Sequence, residues 1–253
     1  MDQRPIAGVE DLEHQELVDL FLEMLHRSWM HYGLWFQAAQ AQTEADRFPA
    51  AERRVFAQTM ANVMARLGKV LGFAVDARGV PQRVKDMSQP ELCQAVRALA
   101  VNWYVGDGIW FQELEGLYDM DLAKRANDSV WARYAPYEAR HIALFLGLPP
   151  QCGLQGLRAA LPLRSAALIN TYAYQWSQDG SLVLKIVECR IQTARRRKGL
   201  PPYPCRSAGM VEHVFFARAL DARIVTQCLG CPPDEQGQDW CCAWRFSLEQ
   251  DQA

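Results

Sequence analysis

Apolar residues in the first 150 positions recur mostly at three- and four-residue steps, the spacing that lines one face of an α-helix. One such stripe runs from Val55 to Leu71, and a second runs from Val130 to Phe145. Gly72 and Gly147 come directly after the two stripes, and glycine at that point is typical of a helix end. The pattern predicts antiparallel helix pairs that bury a shared seam.

This helical part repeats itself with an offset of 75 residues. H-Y-G-L-W-F-Q at 31–37 corresponds to G-D-G-I-W-F-Q at 106–112, and V-L-G-F at 70–73 corresponds to F-L-G-L at 145–148. Between residues 33 and 73, ten positions are identical to their counterparts without a gap, which is more than chance produces. We therefore predict a duplicated helical region over residues 1–160, with units at about 20–75 and 95–150.

From about residue 165 the pattern changes to short runs rich in β-branched and aromatic residues. The first two runs flank S-Q-D-G at 177–180, and an Asp-Gly between such runs indicates a hairpin. We predict strands at 169–176, 181–190, 222–227 and 240–248, with helices at 190–198 and 205–220. The fold class is therefore α+β: a mainly helical N-terminal half, then a domain over 161–253 with a four-stranded antiparallel sheet and helices.

Composition and charge exclude some classes of partner. Half of the residues are hydrophobic and the formal net charge is −2, so the chain is typical of a well-packed core and nothing indicates a nucleic-acid partner. The run of basic residues at 195–198 precedes Gly199 and is ordinary chemistry for a helix end. The N-terminus is polar and no stretch approaches about 18 uninterrupted apolar residues, so we expect no membrane partner and a cytoplasmic location. Stable disulfides are uncommon there.

The candidate chemistry lies in the cysteines near the C-terminus. Cys228 and Cys231 form a C-x-x-C at a Gly/Pro turn, where two thiolates can face one ion. Side chains alternate along a strand, so only one of Cys241 and Cys242 can join them, and which one stays open. Cys205 starts the predicted long helix and can supply a fourth thiolate. The set Cys205, Cys228, Cys231 and Cys242 predicts a structural zinc site, with an iron–sulfur cluster or buried apolar cysteines as alternatives.

Three cysteines fall outside this set. Cys93 and Cys152 lie on or beside predicted helices and are interpreted as packing residues. Cys189, on a predicted strand, is a candidate nucleophile, and His213 is its candidate partner. The sequence does not show that the two meet.

The repeated G-[LI]-W-F motif is interpreted as core packing, because aromatic residues at helical spacing are more often core than cofactor ligands. His31, Asp107 and His141 lie beside these aromatics, and each is expected to be hydrogen-bonded within the structure. A position facing a pocket is the open alternative for all three.

Residues 165–250 resemble the 4-vinyl reductase domain. The resemblance rests on Pro-Cys at a helix start with Gly209 four residues after Cys205, a strand into C-x-x-C, and C-x-W ending at Trp244. That domain occurs in bacteriochlorophyll biosynthesis proteins and phenol-sensing modules of transcription activators, and it belongs with the subunit fold of vesicle-tethering complexes. The resemblance implies a structural zinc on the four cysteines and an apolar ligand pocket. Phenol sensors place an acidic ligand where this chain has Cys228, so a phenol-like ligand is less well supported.

The whole chain also resembles uncharacterised bacterial cytosolic proteins related to L-2-amino-thiazoline-4-carboxylic acid hydrolase. The residues that carry this are G-L-W-F and G-I-W-F, C-R-I-Q-T-A-R-R-R-K-G-L-P, and C-L-G-C-P-P-D with C-A-W-R-F. No catalytic residue can be transferred from that relation, because fold kinship does not settle function.

These observations lead to two functional predictions. The first is a cytosolic zinc-binding protein with a small-molecule pocket, in which the helical half forms a pocket wall or the interface of a homo-oligomer. The alternative is an enzyme, a hydrolase acting on carbon–nitrogen bonds of a cyclic amidine or thiazoline. Its candidate groups are Cys189 or Cys241, His213, and Glu188 or Glu212. A scaffold that recruits a partner chain through its helical half is a third hypothesis.

Overall fold

The structure is a computed structural model that describes residues 7–43, 47–234 and 239–249. The chain divides into two compact units, Met1–Thr59 and Met60–Ala253. The first unit contains α1 (His14–Gln42) and the start of α2 (Phe48–Leu71). Within it, the Phe36 and Phe48 rings meet edge to face at 5.1 Å, and the Tyr32 hydroxyl donates to Glu52 Oε1 at 2.6 Å.

The second unit contains the rest of the secondary structure. Its further helices are α3 (Gln82–Lys85), α4 (Gln89–Leu117), α5 (Met120–Leu146), α6 (Gly153–Ala160), α7 (Arg190–Arg197) and α8 (Arg206–Leu220). Its strands are β1 (Thr171–Trp176), β2 (Leu182–Glu188), β3 (Ile224–Gly230) and β4 (Cys242–Leu248). This arrangement confirms the α+β fold class predicted from the sequence.

The helix bounds follow the internal repeat. Each end of α4 lies 75 residues after the corresponding end of α1, and the C-terminus of α5 has the same offset from that of α2. Local capping explains where these helices begin: Ser88 and Glu91 form a capping box at α4, and Asp119 Oδ1 accepts from the Leu122 amide at 2.6 Å at α5. The helices end where predicted, because Gly72 and Gly147 adopt the left-handed conformation with φ of 79° and 65°.

The four strands form one antiparallel sheet in the order β1-β2-β4-β3. The predicted hairpin joins β1 to β2, and its turn is closed by the Ser177 amide donating to the Ser181 carbonyl at 2.9 Å. The strand prediction is confirmed: β1, β3 and β4 start two residues later than expected, and β2 starts one residue later.

One face of the sheet carries α8 and contributes to the main core. Trp244 and Phe246 of β4 are fully buried on this face, and a Cβ on Gly209 of α8 would lie 2.6 Å from the Trp244 ring. The absence of a side chain at Gly209 therefore allows the close approach of helix and sheet. Helix α5 packs along α8, so the core joins Trp131 and Ala135 to residues of the sheet. Helices before residue 160 and strands after it contribute to this core. The domain boundary that the sequence predicts between residues 160 and 161 stays a prediction.

Candidate functional site

The second unit encloses a cavity of about 380 Å³ between α4, α5, α7, α8 and the sheet. Its lining is largely apolar and aromatic, with Phe111, Trp131, Tyr203 and Trp244 among the side chains that form its walls. Pockets that hold small molecules in proteins measure about 300–1,000 Å³ and have linings of this kind. The cavity is therefore large enough for a small organic molecule.

Three hydrogen-bond donors in the cavity wall have no partner among the described residues. They are the hydroxyls of Tyr104 on α4 and Tyr172 on β1 and the indole Nε1 of Trp244 on β4, all buried. Burial raises the pKa of both tyrosines well above the usual range, so both remain protonated donors. Buried polar groups are normally satisfied, so three such groups around one cavity are unusual.

The second copy of the repeated aromatic motif lines the cavity. Gly108, Ile109 and Phe111 belong to the wall, and the Phe111 ring meets Tyr203 edge to face at 5.1 Å, whereas Trp110 is 70% exposed. The interpretation of this motif as core packing is therefore wrong for its tryptophans, since Trp35 is 65% exposed as well. Asp107 also lines the cavity, and burial raises the pKa of its carboxyl.

A buried charge network adjoins the cavity. Arg164 follows α6 and is completely buried, and its Nε donates to Glu138 Oε2 of α5 at 3.0 Å. Its Nη2 lies 2.8 Å from Glu212 Oε1 of α8, and its guanidinium stacks 4.3 Å from the centre of the Phe216 ring. His213 Nδ1 lies 3.4 Å from Arg164 Nη1. One cation therefore holds two acidic side chains in place beside the cavity.

Glu212 and His213 of this network are themselves cavity-lining residues. Burial raises the pKa of Glu212, although the charge of Arg164 opposes the shift. Burial and the same Arg164 charge hold the pKa of His213 well below its usual range, so His213 is neutral. Its ring lies against Trp244 at 4.5 Å. These contacts give His213 a packed position beside the arginine.

Three of the four predicted metal ligands meet at the end of the cavity. The neighbouring Cys205 and Cys242 thiols, together with burial, raise the pKa of Cys231. All three cysteines line the cavity. Two features bring these cysteines near one another. Cys242 is the first residue of β4, and the Arg206 amide, next to Cys205, donates to the carbonyl of Pro232, next to Cys231, at 3.0 Å. We call Cys205, Cys231 and Cys242 the cysteine cluster.

The loop between α7 and α8 holds Cys205 in place. Gln192 of α7 donates from Nε2 to the Tyr203 carbonyl at 2.7 Å and accepts from the Tyr203 amide at 3.1 Å. The same Nε2 lies 3.1 Å from Cys205 Sγ. Gln192 thus connects α7 to the first residue of the cysteine cluster.

Cys228, the fourth predicted ligand, does not line the cavity. It pairs with Trp244 in the β3–β4 register, two residues along β4 from Cys242, and burial raises its pKa. The sulfur donors suit zinc in their chemistry. However, no group of three or more His, Cys, Asp or Glu side chains in the described ranges has an arrangement that could hold a metal ion. The zinc site and its iron–sulfur alternative therefore stay predictions.

Cys189 and Cys241 form a second thiol pair. The neighbouring Cys241 thiol lowers the pKa of Cys189 to about 7 against the opposing effect of burial. Cys189 in turn raises the pKa of Cys241. Both Cys189 and His213 line the cavity, but the neighbour that polarises Cys189 is Cys241. Sequence reasoning named both thiols as candidates and did not join them.

The other two cysteines differ in their environment. Cys152 precedes α6 and is partly buried, with its Sγ 3.9 Å from the Leu220 carbonyl. Cys93 is exposed on α4, so its predicted packing role is wrong. All eight cysteines are free thiols in the structure.

Sequence reasoning missed several residues of the site, notably Arg164, Tyr104 and Tyr172. The signal for Arg164 was a single charge within L-P-L-R-S-A-A-L at 161–168, because a basic residue inside an apolar run must find a partner if the run is buried. No sequence pattern marks the two tyrosines. They matter because their buried hydroxyls have no hydrogen-bond partner among the described residues, which only the fold can show.

Among the helices of the described ranges, none combines the length and apolar character needed to cross a membrane.

The fold and the site define a class: an α+β protein whose helical layer and antiparallel sheet enclose an aromatic cavity with a cysteine cluster at its edge. A family model described as "Family of unknown function (DUF6125)" matches residues 83–248, and the chain belongs to this family. The match includes every residue that lines the cavity. No curated protein and no solved structure matches the chain. The resemblances to the 4-vinyl reductase domain and the thiazoline hydrolase stay predictions.

Proposed function

We propose that the protein binds a small, mostly apolar molecule in the cavity of the second unit. The observation that carries the proposal is the set of three buried donors on Tyr104, Tyr172 and Trp244 that have no partner within residues 7–43, 47–234 and 239–249. Leaving such a group unsatisfied costs about 1–3 kcal/mol, so a ligand that accepts hydrogen bonds from them would recover part of that cost. The cavity volume of about 380 Å³ suits a molecule of this kind.

The wall also restricts the charge of the ligand. Asp107 and Glu212 are cavity-lining carboxyls whose pKa burial raises, so a further negative charge between them would be disfavoured. Phe111 and Trp131 offer aromatic surfaces for packing. Arg190, Arg195 and Lys198 also line the cavity, so its wall carries charges of both signs. The preferred ligand has an aromatic or cyclic body and at least one oxygen or nitrogen acceptor.

Binding of a neutral aromatic ketone tests this proposal. In a fluorine NMR titration with 4-fluoroacetophenone, we expect saturable binding to the full-length protein. Tyr172→Phe removes one donor and keeps the ring, so the affinity should fall by about two- to tenfold, the effect of one neutral hydrogen bond of ~0.5–1.5 kcal/mol. The free energy of unfolding should not decrease, because the lost hydroxyl has no partner within the described structure.

Tyr174→Phe is the matched control. Tyr174 lies two residues along β1, also has an unpartnered hydroxyl within the described ranges, and does not line the cavity. We expect its affinity for the ketone to equal that of the wild type. Equal affinities for Tyr172→Phe and wild type, or binding that never saturates, would contradict the proposal.

Zinc binding by the predicted cysteines is proposed alongside the cavity. The supporting observation is that Cys205 and Cys242 are the neighbours that raise the pKa of Cys231, because three sulfur donors near one another are the donor type that zinc prefers. Protein purified under reducing conditions should contain about one zinc per chain by elemental analysis. Cys231→Ser and Cys228→Ser should both lose the zinc, and Cys93→Ser should retain it. Zinc retained by Cys228→Ser would remove Cys228 from the ligand set.

The hydrolase alternative has one favourable observation, since Cys189 lines the cavity and its pKa is lowered to about 7. A thiol that ionises near neutral pH can attack an electrophilic carbon of a bound substrate. Hydrolysis of L-2-amino-thiazoline-4-carboxylate, followed by chromatography, tests it. Turnover that Cys189→Ala abolishes would favour the enzyme, whereas ketone binding without turnover would favour the binding protein.

A further inference from the structure

The exposed residues in the lining of the cavity all belong to two helices, and they mark its opening. Helix α4 contributes one edge, and α7 with the residue that ends it contributes the other: Val105, Ile109 and Gln112 on α4, and Arg190, Ala194 and Lys198 on α7. Residues three or four positions apart lie on the same face of a helix, so each set of three forms one continuous edge. We call these six residues the mouth of the cavity.

The two edges of the mouth differ in their chemistry. On the α4 edge, Val105 and Ile109 are 47% and 63% exposed and present apolar surface. The α7 edge carries two cations, Arg190 and Lys198. Lys198 Nζ donates to Gln112 Oε1 at 2.9 Å, which connects the two edges at one end. The mouth therefore offers apolar surface on one side and positive charge on the other.

The positive charge at the mouth is not neutralised by neighbouring side chains. Arg195, the third cation of the lining, has its Nη1 and Nη2 each 3.3 Å from an oxygen of Glu115. By contrast, neither Arg190 nor Lys198 forms an ion pair within the ranges that the structure describes. The Lys198 ammonium has three donors, and Gln112 accepts from one of them. An anionic group at the mouth would therefore meet unpaired cations.

The interior of the cavity has the opposite preference. Asp107 and Glu212 are acidic groups of its lining, and neither belongs to the exposed mouth. The nearest cation to Glu212 is Arg164, at 2.8 Å, which already contacts a second carboxyl group. A negative charge is therefore disfavoured inside and favoured at the mouth, while the inner donors of Tyr104 and Tyr172 suit an uncharged acceptor.

We propose that the ligand of the cavity is an amphipathic carboxylate. Its apolar body occupies the interior, and its carboxylate lies at the mouth against the cations of α7. The inference rests on the proposed function, because it requires that the cavity bind a small molecule. Since Arg190 and Lys198 are exposed, their charges contribute selectivity for an anion more than affinity. Val105 and Ile109 would contact the part of the ligand between its body and its carboxylate.

Calorimetric titration of the full-length protein with a matched pair of compounds tests the inference. The pair is 3-(4-acetylphenyl)propanoate and 3-(4-acetylphenyl)propanamide, which have nearly the same shape and the same ketone, whereas only the first carries a negative charge. We expect the carboxylate to bind about two- to fivefold more tightly than the amide at low ionic strength, the effect of one exposed ion pair. The preference should decrease in high salt, because salt screens exposed charges.

Two double variants assign the preference to the mouth. Arg190→Gln with Lys198→Gln removes both cations, so the carboxylate should bind no more tightly than the amide, and the affinity for the amide should equal that of the wild type. Arg196→Gln with Arg197→Gln is the matched control. It removes the same charge from the same helix, at exposed positions that do not line the cavity, and it should retain the preference.

Three results would overturn the inference: equal affinities of the wild type for the two compounds, a preference that the Arg190 and Lys198 variant retains, or a preference that the control variant loses. If the amide binds saturably in any of these cases, the proposed function stands without the inference. If neither compound binds to the wild type, both the inference and the proposed function are wrong.

Discussion

Replacing Arg164 with methionine removes the one cation at the centre of the buried charge network. Arg164 is completely buried, and its guanidinium contacts Glu138 at 3.0 Å and Glu212 at 2.8 Å. The substitution retains an apolar side chain of similar length but leaves two buried carboxyls without their cation. Loss of one partner of a buried ion pair costs about 3–5 kcal/mol. We expect the free energy of unfolding to fall by about that amount.

The pH dependence gives a second, independent readout. Burial raises the pKa of Glu212, and removing Arg164 takes away the charge that opposes this shift. A carboxyl with a raised pKa in the folded state imposes no penalty below its ordinary pKa, and the penalty grows as the pH rises through the folded-state value. The difference in stability between Arg164→Met and wild type should therefore be largest at neutral pH and decrease towards acidic pH.

Chemical denaturation in urea, followed by circular dichroism at several pH values, measures both effects. Because a unit of this size loses about 2–4 °C of melting temperature per kcal/mol, thermal unfolding should shift by about 6–20 °C at neutral pH. Arg218→Met, at an exposed position on α8, is the control and should change stability by less than about 0.5 kcal/mol. An Arg164→Met protein as stable as the wild type, or a difference that grows in acid, would refute the reasoning.

Two further predictions concern the scaffold of the site. Gly209→Ala should lower the free energy of unfolding by about 1–3 kcal/mol, because the new Cβ would lie 2.6 Å from the fully buried Trp244 ring. Gly116→Ala in α4, with nothing within 4 Å of the new Cβ, should instead stabilise the protein by up to about 1 kcal/mol, and urea unfolding distinguishes the two. Asp221→Asn should cost about 1.5–3 kcal/mol at neutral pH, because its carboxylate accepts charged hydrogen bonds from Arg223 and one from the Gly153 amide. Those bonds lower the pKa of Asp221 to about 2 from an ordinary value of 3.8, and the bond from the Arg223 side chain makes the largest contribution. The stability that Asp221 contributes is present above the ordinary pKa and is lost as the pH falls through about 2, so the difference between variant and wild type should close over that window. A difference that stays constant from neutral pH to pH 2 would contradict the assignment.

The helices and strands could be predicted because their signals are local. Apolar residues at helical spacing, the glycines that end α2 and α5, and the Asp-Gly of the β1–β2 hairpin all act within a few residues of the chain. The alternation within the last strand likewise indicated that only one of Cys241 and Cys242 could face the cluster, and Cys242 is the one that does. Periodicity and capping determine such features almost independently of the rest of the fold.

The site depended on contacts between elements that are distant in sequence. Arg164, Glu138 and Glu212 come from three separate segments, and the burial that raises the pKa of Glu212 exists only after α5 and α8 have packed together. The proximity of Cys189 to Cys241 was decided in the same way. Sequence spacing determines which face of a strand or helix a side chain occupies. Distances between side chains on different elements depend on how those elements pack, so only the tertiary structure could show which thiols meet and which buried donors lack a partner.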